Sequence, residues 1–260
     1  MTICCQVVGS APTRVPPGRI PVVRASRFPS HSSGTADVVW KDVGVAHDVT
    51  TAVFDLDGTI TDSQEGIVDS FRHALGVLDV TADDDAIRHQ IGPPLVEGFA
   101  ALGVPAGQLE RAVTTYRSFF SETGIYRNRL YGGVPEMLGS LADAGIALAL
   151  ATSKLTEFAQ RILEYFELAP MFAAVAGSTP DGRVLTKQAI VADALGRLDH
   201  TDAAATVVVG DRDQDMRAAV VHGLIPVGVT WGYGSVDELI AAGARHLVTS
   251  PPELVSLVLG

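Results

Sequence analysis

A chain of 260 residues, 47% of them hydrophobic, can bury a substantial core, either as one domain with a large insertion or as two small domains. Its formal net charge of −11 argues against the broad basic surface of a non-specific nucleic-acid binder, and no run of about eighteen apolar residues marks a membrane span. The only two cysteines, Cys4 and Cys5, are adjacent, which excludes a disulfide framework or a cysteine-rich zinc site and makes a reducing cytoplasm the expected compartment.

Residues 1–48 stand apart in composition. The stretch "SAPTRVPPGRIPVVRASRFPSHSSG" is rich in Pro, Ser and Arg without a sustained apolar period, and reads as a disordered arm. It lacks the charged start and apolar run of a secretory signal, although its Arg-rich, acid-poor character has the look of a transit peptide. A functional tail and a start assigned too far upstream are the two readings.

The first strand-sized run, "TTAVF", ends in "DLDGTITDS". In an extended chain residues i and i+2 point the same way, so Asp55 and Asp57 are expected to face one small volume. Two carboxylates about 4 Å apart repel by about 4 kcal/mol at an effective dielectric of about 20. A bound divalent cation is the commonest compensation.

From Gln64 to Tyr131 the apolar periods are helical. Ile67, Phe71, Leu75 and Leu78 form one stripe, Leu95, Phe99 and Leu102 a second, and Leu109, Val113, Tyr116 and Phe120 a third. A direct strand-to-helix connection needs only a few residues, so residues 64–131 are predicted to be an inserted helical cap over the carboxylate pair, with 49–63 and 132–260 forming the core. Further strand-sized runs, "IALALA", "FAAVAG", "ATVVVG" and "IPVGVT", alternate with helical periods such as Phe158, Ile162 and Phe166. Near-continuous apolar strands imply a parallel sheet covered on both faces, and the predicted class is α/β, doubly wound.

In such sheets the ligand crevice lies beyond the carboxyl ends of the strands. There the sequence places Asp55 and Asp57, then Thr152, Ser153 and Lys154, then Asp211, Arg212, Asp213 and Asp215, with Lys187 following the strand "FAAVAG" across the loop "STPDGRVLT". Taken singly, each aspartate has an ordinary structural reading, in turn chemistry for Asp57 or helix capping for Asp211 and Asp215. Lys154 could bind substrate or open a helix. Arg212 and Asp213 read as supporting or surface residues, Trp231 and Tyr233 of "WGYGS" as packing, and the seven histidines show no metal-ligand spacing.

The ordered set "DLDGT", "ATSK", Lys187 and "GDRDQD" resembles the four motifs of the haloacid dehalogenase superfamily in its phosphatase branch, with the insert at the position of that family's helical cap. The resemblance implies that Asp55 is a nucleophile forming an aspartyl-phosphate and that Asp57 is the general acid and base. It further implies that Asp55, the Asp57 carbonyl and Asp211 hold Mg²⁺ with Asp215 in support, while Thr152 and Lys187 contact the phosphoryl group. Ser153 and Lys154, and Gly92 and Pro93 of the cap loop "IGPPL", are the candidate substrate contacts.

The expected function is hydrolysis of a small phosphate monoester, of phosphoglycolate or nucleoside monophosphate type. The segment "DGTITDSQEGIVDSFRHAL", the basic arm and "WGYG" also resemble mycobacterial tyrosine kinases of the haloacid dehalogenase fold, which makes phosphotransfer to a protein the alternative. No P-loop, HRD or DFG signature supports ordinary kinase chemistry. A non-catalytic phosphate-sensing scaffold is disfavoured, because every motif position keeps a catalytically competent residue type.

Overall fold

The computed structural model describes residues 49–180, 186–199 and 201–260. The arm expected over residues 1–48 lies outside the described residues.

The apolar run after Thr50 forms strand β1 (Thr51–Phe54), every residue of it buried. A tight turn leads to the two-residue strand β2 (Thr61–Asp62) and then to four helices: α1 (Gln64–Val77), α2 (Asp84–Arg88), α3 (Leu95–Ala101) and α4 (Leu109–Glu122). Strand β3 (Arg129–Leu130) brings the chain back, pairing antiparallel with β2 so that the outgoing and returning passes lie side by side. The expected period was helical throughout this segment, and two-residue strands are too short to leave an alternating pattern. Helix α5 (Val134–Asp143), β4 (Ala147–Leu155), α6 (Thr156–Tyr165), β5 (Ala174–Ser178), α7 (Lys187–Gly196) and β6 (Thr206–Gly210) follow. The chain ends with α8 (Asp213–Val221), β7 (Ile225–Val229), α9 (Val236–Ala241), β8 (His246–Val248) and α10 (Pro251–Leu259).

Six strands form one sheet in the order β5-β4-β1-β6-β7-β8, all pairings parallel. Side chains alternate across it. Val53, Ala149, Ala151, Ala176 and Val208 pack on one face with Ile190, Val191 and Ala194 of α7 and Ala218 and Ala219 of α8. Phe54, Leu148, Leu150, Val207 and Val209 point to the other face, into the main core with Leu138 and Leu141 of α5, Ile162 of α6 and Leu254 of α10. Both faces are covered, as the apolar strands required. The edge strand β8 was not foreseen, since "HLV" is too short and mixed to stand out.

The inserted helices share an aromatic core. The Phe71 ring lies 4.7 Å from Phe99 and 5.0 Å from Tyr116, and Phe120 reaches across to Phe158 of α6 at 5.3 Å. Burying each such ring contributes about 1.5–3 kcal/mol. The insert therefore adheres to the sheet's main core through the same aromatic layer that holds it together. Among the described residues no helix is long and apolar enough to cross a membrane.

Candidate active site

Strand order reverses around β1, because the chain winds out through β4 and β5 and returns to lay β6 on the opposite side of β1. The crevice beyond the ends of β1 and β6 is therefore the topological switch point of the sheet. Asp55 follows β1 directly and Asp211 follows β6, and both are buried. Asp215, in the first turn of α8, is fully buried as well, and its Oδ2 accepts from the Arg212 backbone N–H at 3.1 Å. One carboxylate oxygen from each of Asp55, Asp211 and Asp215 lies within 4.8 Å of the others.

Lys187 opens α7, where the helix dipole disfavours a cation. Its ammonium is held there by Asp55 Oδ1 at 2.6 Å and Asp215 Oδ1 at 2.8 Å. Burial alone would pull this lysine's pKa down, but the attraction of Asp215 and Asp55 outweighs burial and leaves it raised. One ammonium does not compensate three carboxylates. Burial, followed by the repulsion of Asp215 and Asp55, pushes Asp211 up to about 8. Burial and Asp215 push Asp55 up to about 6 against the opposing pull of Lys187. The unmet need is for positive charge, and three converging hard oxygens suit a divalent cation such as Mg²⁺.

Asp57 sits apart from this cluster. The strand stops at Phe54 and Gly58 turns the chain with φ +92°, yet the Asp57 charge still reaches Asp55 and helps to raise its pKa. Asp57 accepts from the Ser63 hydroxyl at 2.6 Å and pairs with Lys154 Nζ at 3.1 Å. Both aspartates still line one cleft. Its core wall also carries Thr152, Ser153 and Lys154, at the irregular end of β4. Thr152 Oγ1 accepts from the Lys154 N–H at 3.3 Å, leaving its own proton available to a ligand. Gly92 and Pro93 line the cleft from the insert.

Several residues matter more than the sequence suggested. Tyr233 donates its N–H to Asp211 Oδ2 at 2.7 Å, and its hydroxyl accepts from the Ser63 N–H at 2.9 Å. Thr59 Oγ1 donates to Asp211 Oδ1 at 3.1 Å, and Trp231 Nε1 donates to the Thr59 carbonyl at 3.0 Å. The "WGYGS" loop, read as packing, thus fixes Asp211. Arg212 donates to Glu238 Oε1 at 2.8 Å and to the Ile91 carbonyl, tying the insert's loop to the core beside the carboxylates. A Cβ on Gly92, whose φ is +114°, would come within 3.1 Å of both Arg212 Nη1 and Gln214 Nε2. These partners lie far apart in sequence and carry no local pattern.

Residues 52–229 match the family of haloacid dehalogenase-like hydrolases. The chain belongs to this family. It is 41% identical over 186 residues to the tyrosine-protein kinase PtkA of Mycobacterium tuberculosis, a match covering 71% of this chain and 63% of that protein. It is 38% identical over 196 residues to a 5'-nucleotidase of Pseudomonas aeruginosa, covering 75% and 88% of the two chains. A phosphoglycolate phosphatase of Agrobacterium fabrum is 32% identical over 206 residues, covering 71% and 82%. The crystal structure of a predicted phosphatase from Clostridium acetobutylicum superposes with a TM-score of 0.77 at 37% identity, over 81% of this chain and 98% of that one. The chain spans 63% of the length of the first of these relatives.

Proposed function

We propose that this haloacid dehalogenase-like hydrolase is a Mg²⁺-dependent phosphomonoesterase acting on a small phosphate ester through an aspartyl-phosphate on Asp55. The observation that carries the reading is the buried cluster of Asp55, Asp211 and Asp215 around Lys187 at the switch point of the sheet. Asp55, Asp211, Asp215 and the Asp57 carbonyl would hold the ion, which when bound shields the charge of the phosphoryl oxygens.

Asp55 offers its carboxylate to phosphorus while Lys187 fixes one of its oxygens. Attack forms the bond from an Asp55 oxygen to phosphorus as the ester oxygen leaves, and Asp57 supplies that oxygen's proton. Asp57 then takes a proton from the water that cleaves the acyl phosphate, returning Asp55 and releasing orthophosphate. Ser63 and Lys154 hold Asp57 facing the cleft for both transfers. Thr152 donates to a phosphoryl oxygen, and Lys154, Ser153, Gly92 and Pro93 border the rest of the ester. The insert, residues 64–131, acts as the cap that limits access to small substrates.

The alternative is transfer of the phosphoryl group to a protein tyrosine, favoured by the similarity to PtkA. A panel of phosphate monoesters and ATP, each with Mg²⁺, separates the two. Release of orthophosphate from small esters supports hydrolysis; stable label on protein tyrosine from ATP, without ester hydrolysis, overturns it in favour of transfer.

A further inference from the structure

The cations of the core wall are all engaged. Lys187 is clasped by Asp55 and Asp215, and Lys154 is paired with Asp57 while lying 4.1 Å from the centre of the Phe120 ring. Arg117, on α4 of the insert, lines the same cleft and differs from both. Its Nε is buried and makes no hydrogen bond, and among the described residues no carboxylate pairs with its guanidinium. Burial pulls its pKa down, and no neighbouring acid acts in the other direction. The insert lines the cleft beside it with Val113, Tyr116 and Phe120, and the core adds Phe158, so much of the wall it shares is apolar.

An unpaired guanidinium with a desolvated nitrogen is costly to fold, and among the described residues nothing repays that cost through a bond. The planar donor fork matches a carboxylate or a phosphate, both of which accept two parallel N–H bonds. The cleft encloses a cavity of about 100 Å³, which suits an occupant of few carbons. A ligand whose phosphoryl end meets Asp55 would therefore present its other end to the insert, where Arg117 waits.

We propose that Arg117 is a specificity-determining residue that pairs with a second anionic group on the substrate's leaving group. The substrates are then small phosphate esters of hydroxy acids, or small bisphosphates, in preference to esters of neutral alcohols such as nucleosides. The phosphomonoesterase reading enters only in deciding which end of the ligand faces Asp55, so binding tests the anion site without requiring hydrolysis.

The experiment is calorimetric titration of the full chain with Mg²⁺ and three stable phosphonates: 3-phosphonopropionate, propane-1,3-diphosphonate and propylphosphonate. Each holds three carbons, and beyond a shared phosphonate and two methylenes they end in a carboxylate, a methylene bearing a second phosphonate, or a methyl group. Wild type should bind one or both of the first two about tenfold or more tightly than propylphosphonate, as expected for one charge-assisted pair, and the two arms report which anion is preferred. Arg117→Gln should bring that ratio to within about threefold of unity, and Arg117→Lys should keep part of it. Equal binding of all three by wild type overturns the proposal, as does a preference that survives in folded Arg117→Gln. The corresponding phosphate esters, assayed for released phosphate, report separately on the hydrolase reading: preferential binding without turnover would sink that reading and leave the anion site standing.

Discussion

The two walls of the cleft are built on opposite principles. On the core side, along the cleft or buried behind it, the charged groups of the site have an answering charge or a fixed hydrogen bond: Lys187 with Asp55 and Asp215, Lys154 with Asp57, Arg212 with Glu238, and Asp211 with Tyr233 and Thr59. The insert wall is mostly aromatic and aliphatic, and its one cation, Arg117, has no partner among the described residues. Preorganised charge stabilises a reaction because it needs no rearrangement when the reaction occurs. An apolar wall with an unpaired group can only choose among ligands. The difference supports the proposed division, with chemistry at the strand ends and selection on the inserted helices.

The sharpest way to break this division is to disarm the core wall while keeping its shape. Asp55→Asn is nearly isosteric, and should lower turnover of a phosphate ester by about 10⁴-fold or more with the fold intact by circular dichroism. Activity within a few-fold of wild type in the folded variant would remove Asp55 as nucleophile. Next in size, Lys187→Met leaves Asp55 and Asp215 without their ammonium. At pH 8 in EDTA the variant should lose about 3–5 kcal/mol of stability in denaturant melts, the usual cost of orphaning a buried charge. An unchanged midpoint would mean that the carboxylates do not depend on Lys187.

The third prediction concerns pH. In the metal-free protein Asp55 and Asp211 titrate above their usual 3.8, at about 6 and about 8. Between those values the folded state holds protons that the unfolded chain has already released, so stability must fall as pH rises through that window. Melts in EDTA from pH 5 to about 8.5 should show the decline, and saturating Mg²⁺ should flatten it, because the ion supplies the missing positive charge. A metal-free protein whose stability rises over that range contradicts the crowding of the core wall.

On the insert wall the expected effects are smaller and fall on binding. Gly92→Ala adds a Cβ against Arg212 and Gln214 at a φ of +114°, which should cost about 1–3 kcal/mol and raise KM more than it lowers kcat. An equal fall in kcat at unchanged KM would instead make this loop part of the chemistry. Smallest of all, Arg129→Ala removes an exposed partner of Asp62 and should leave the melting midpoint within the scatter of repeat melts. A larger loss in melts would show that the ribbon joining insert and core is a structural clamp.

Legibility in the sequence follows the same division. Asp55 and Asp211 stood out because apolar strands are obvious and each follows one directly, while Thr152, Lys187 and Asp215 were named through the ordered motifs. Asp55 and Asp57 line one cleft as the strand pattern led one to expect, but their separate partners, Lys187 for Asp55 and Ser63 and Lys154 for Asp57, could not be read from the sequence. Tyr233, Glu238 and Ser63 contribute hydrogen bonds set by tertiary packing, without any spacing to announce them. Arg117 was hidden for a further reason. On a helix whose other faces are ordinary, an arginine looks like a solvated surface residue until the opposite wall of the cleft is in place.

The central claim is that the carboxylate cluster holds a divalent cation, and it is tested most directly by thermal melts of wild type and Asp211→Asn in Mg²⁺ and in EDTA. Mg²⁺ binds the folded site and not the unfolded chain, so wild type should gain stability with ion concentration, by about 2.7 kcal/mol at a hundredfold excess over the dissociation constant. Without metal Asp211 ionises only as pH passes about 8, so it is at about pH 8.5 that Asp211→Asn removes a charge from the crowded, buried site; in EDTA at that pH it should be at least as stable as wild type, while its response to Mg²⁺ and its activity fall together. A Mg²⁺ response as large in Asp211→Asn as in wild type would take Asp211 out of the metal site and contradict the account.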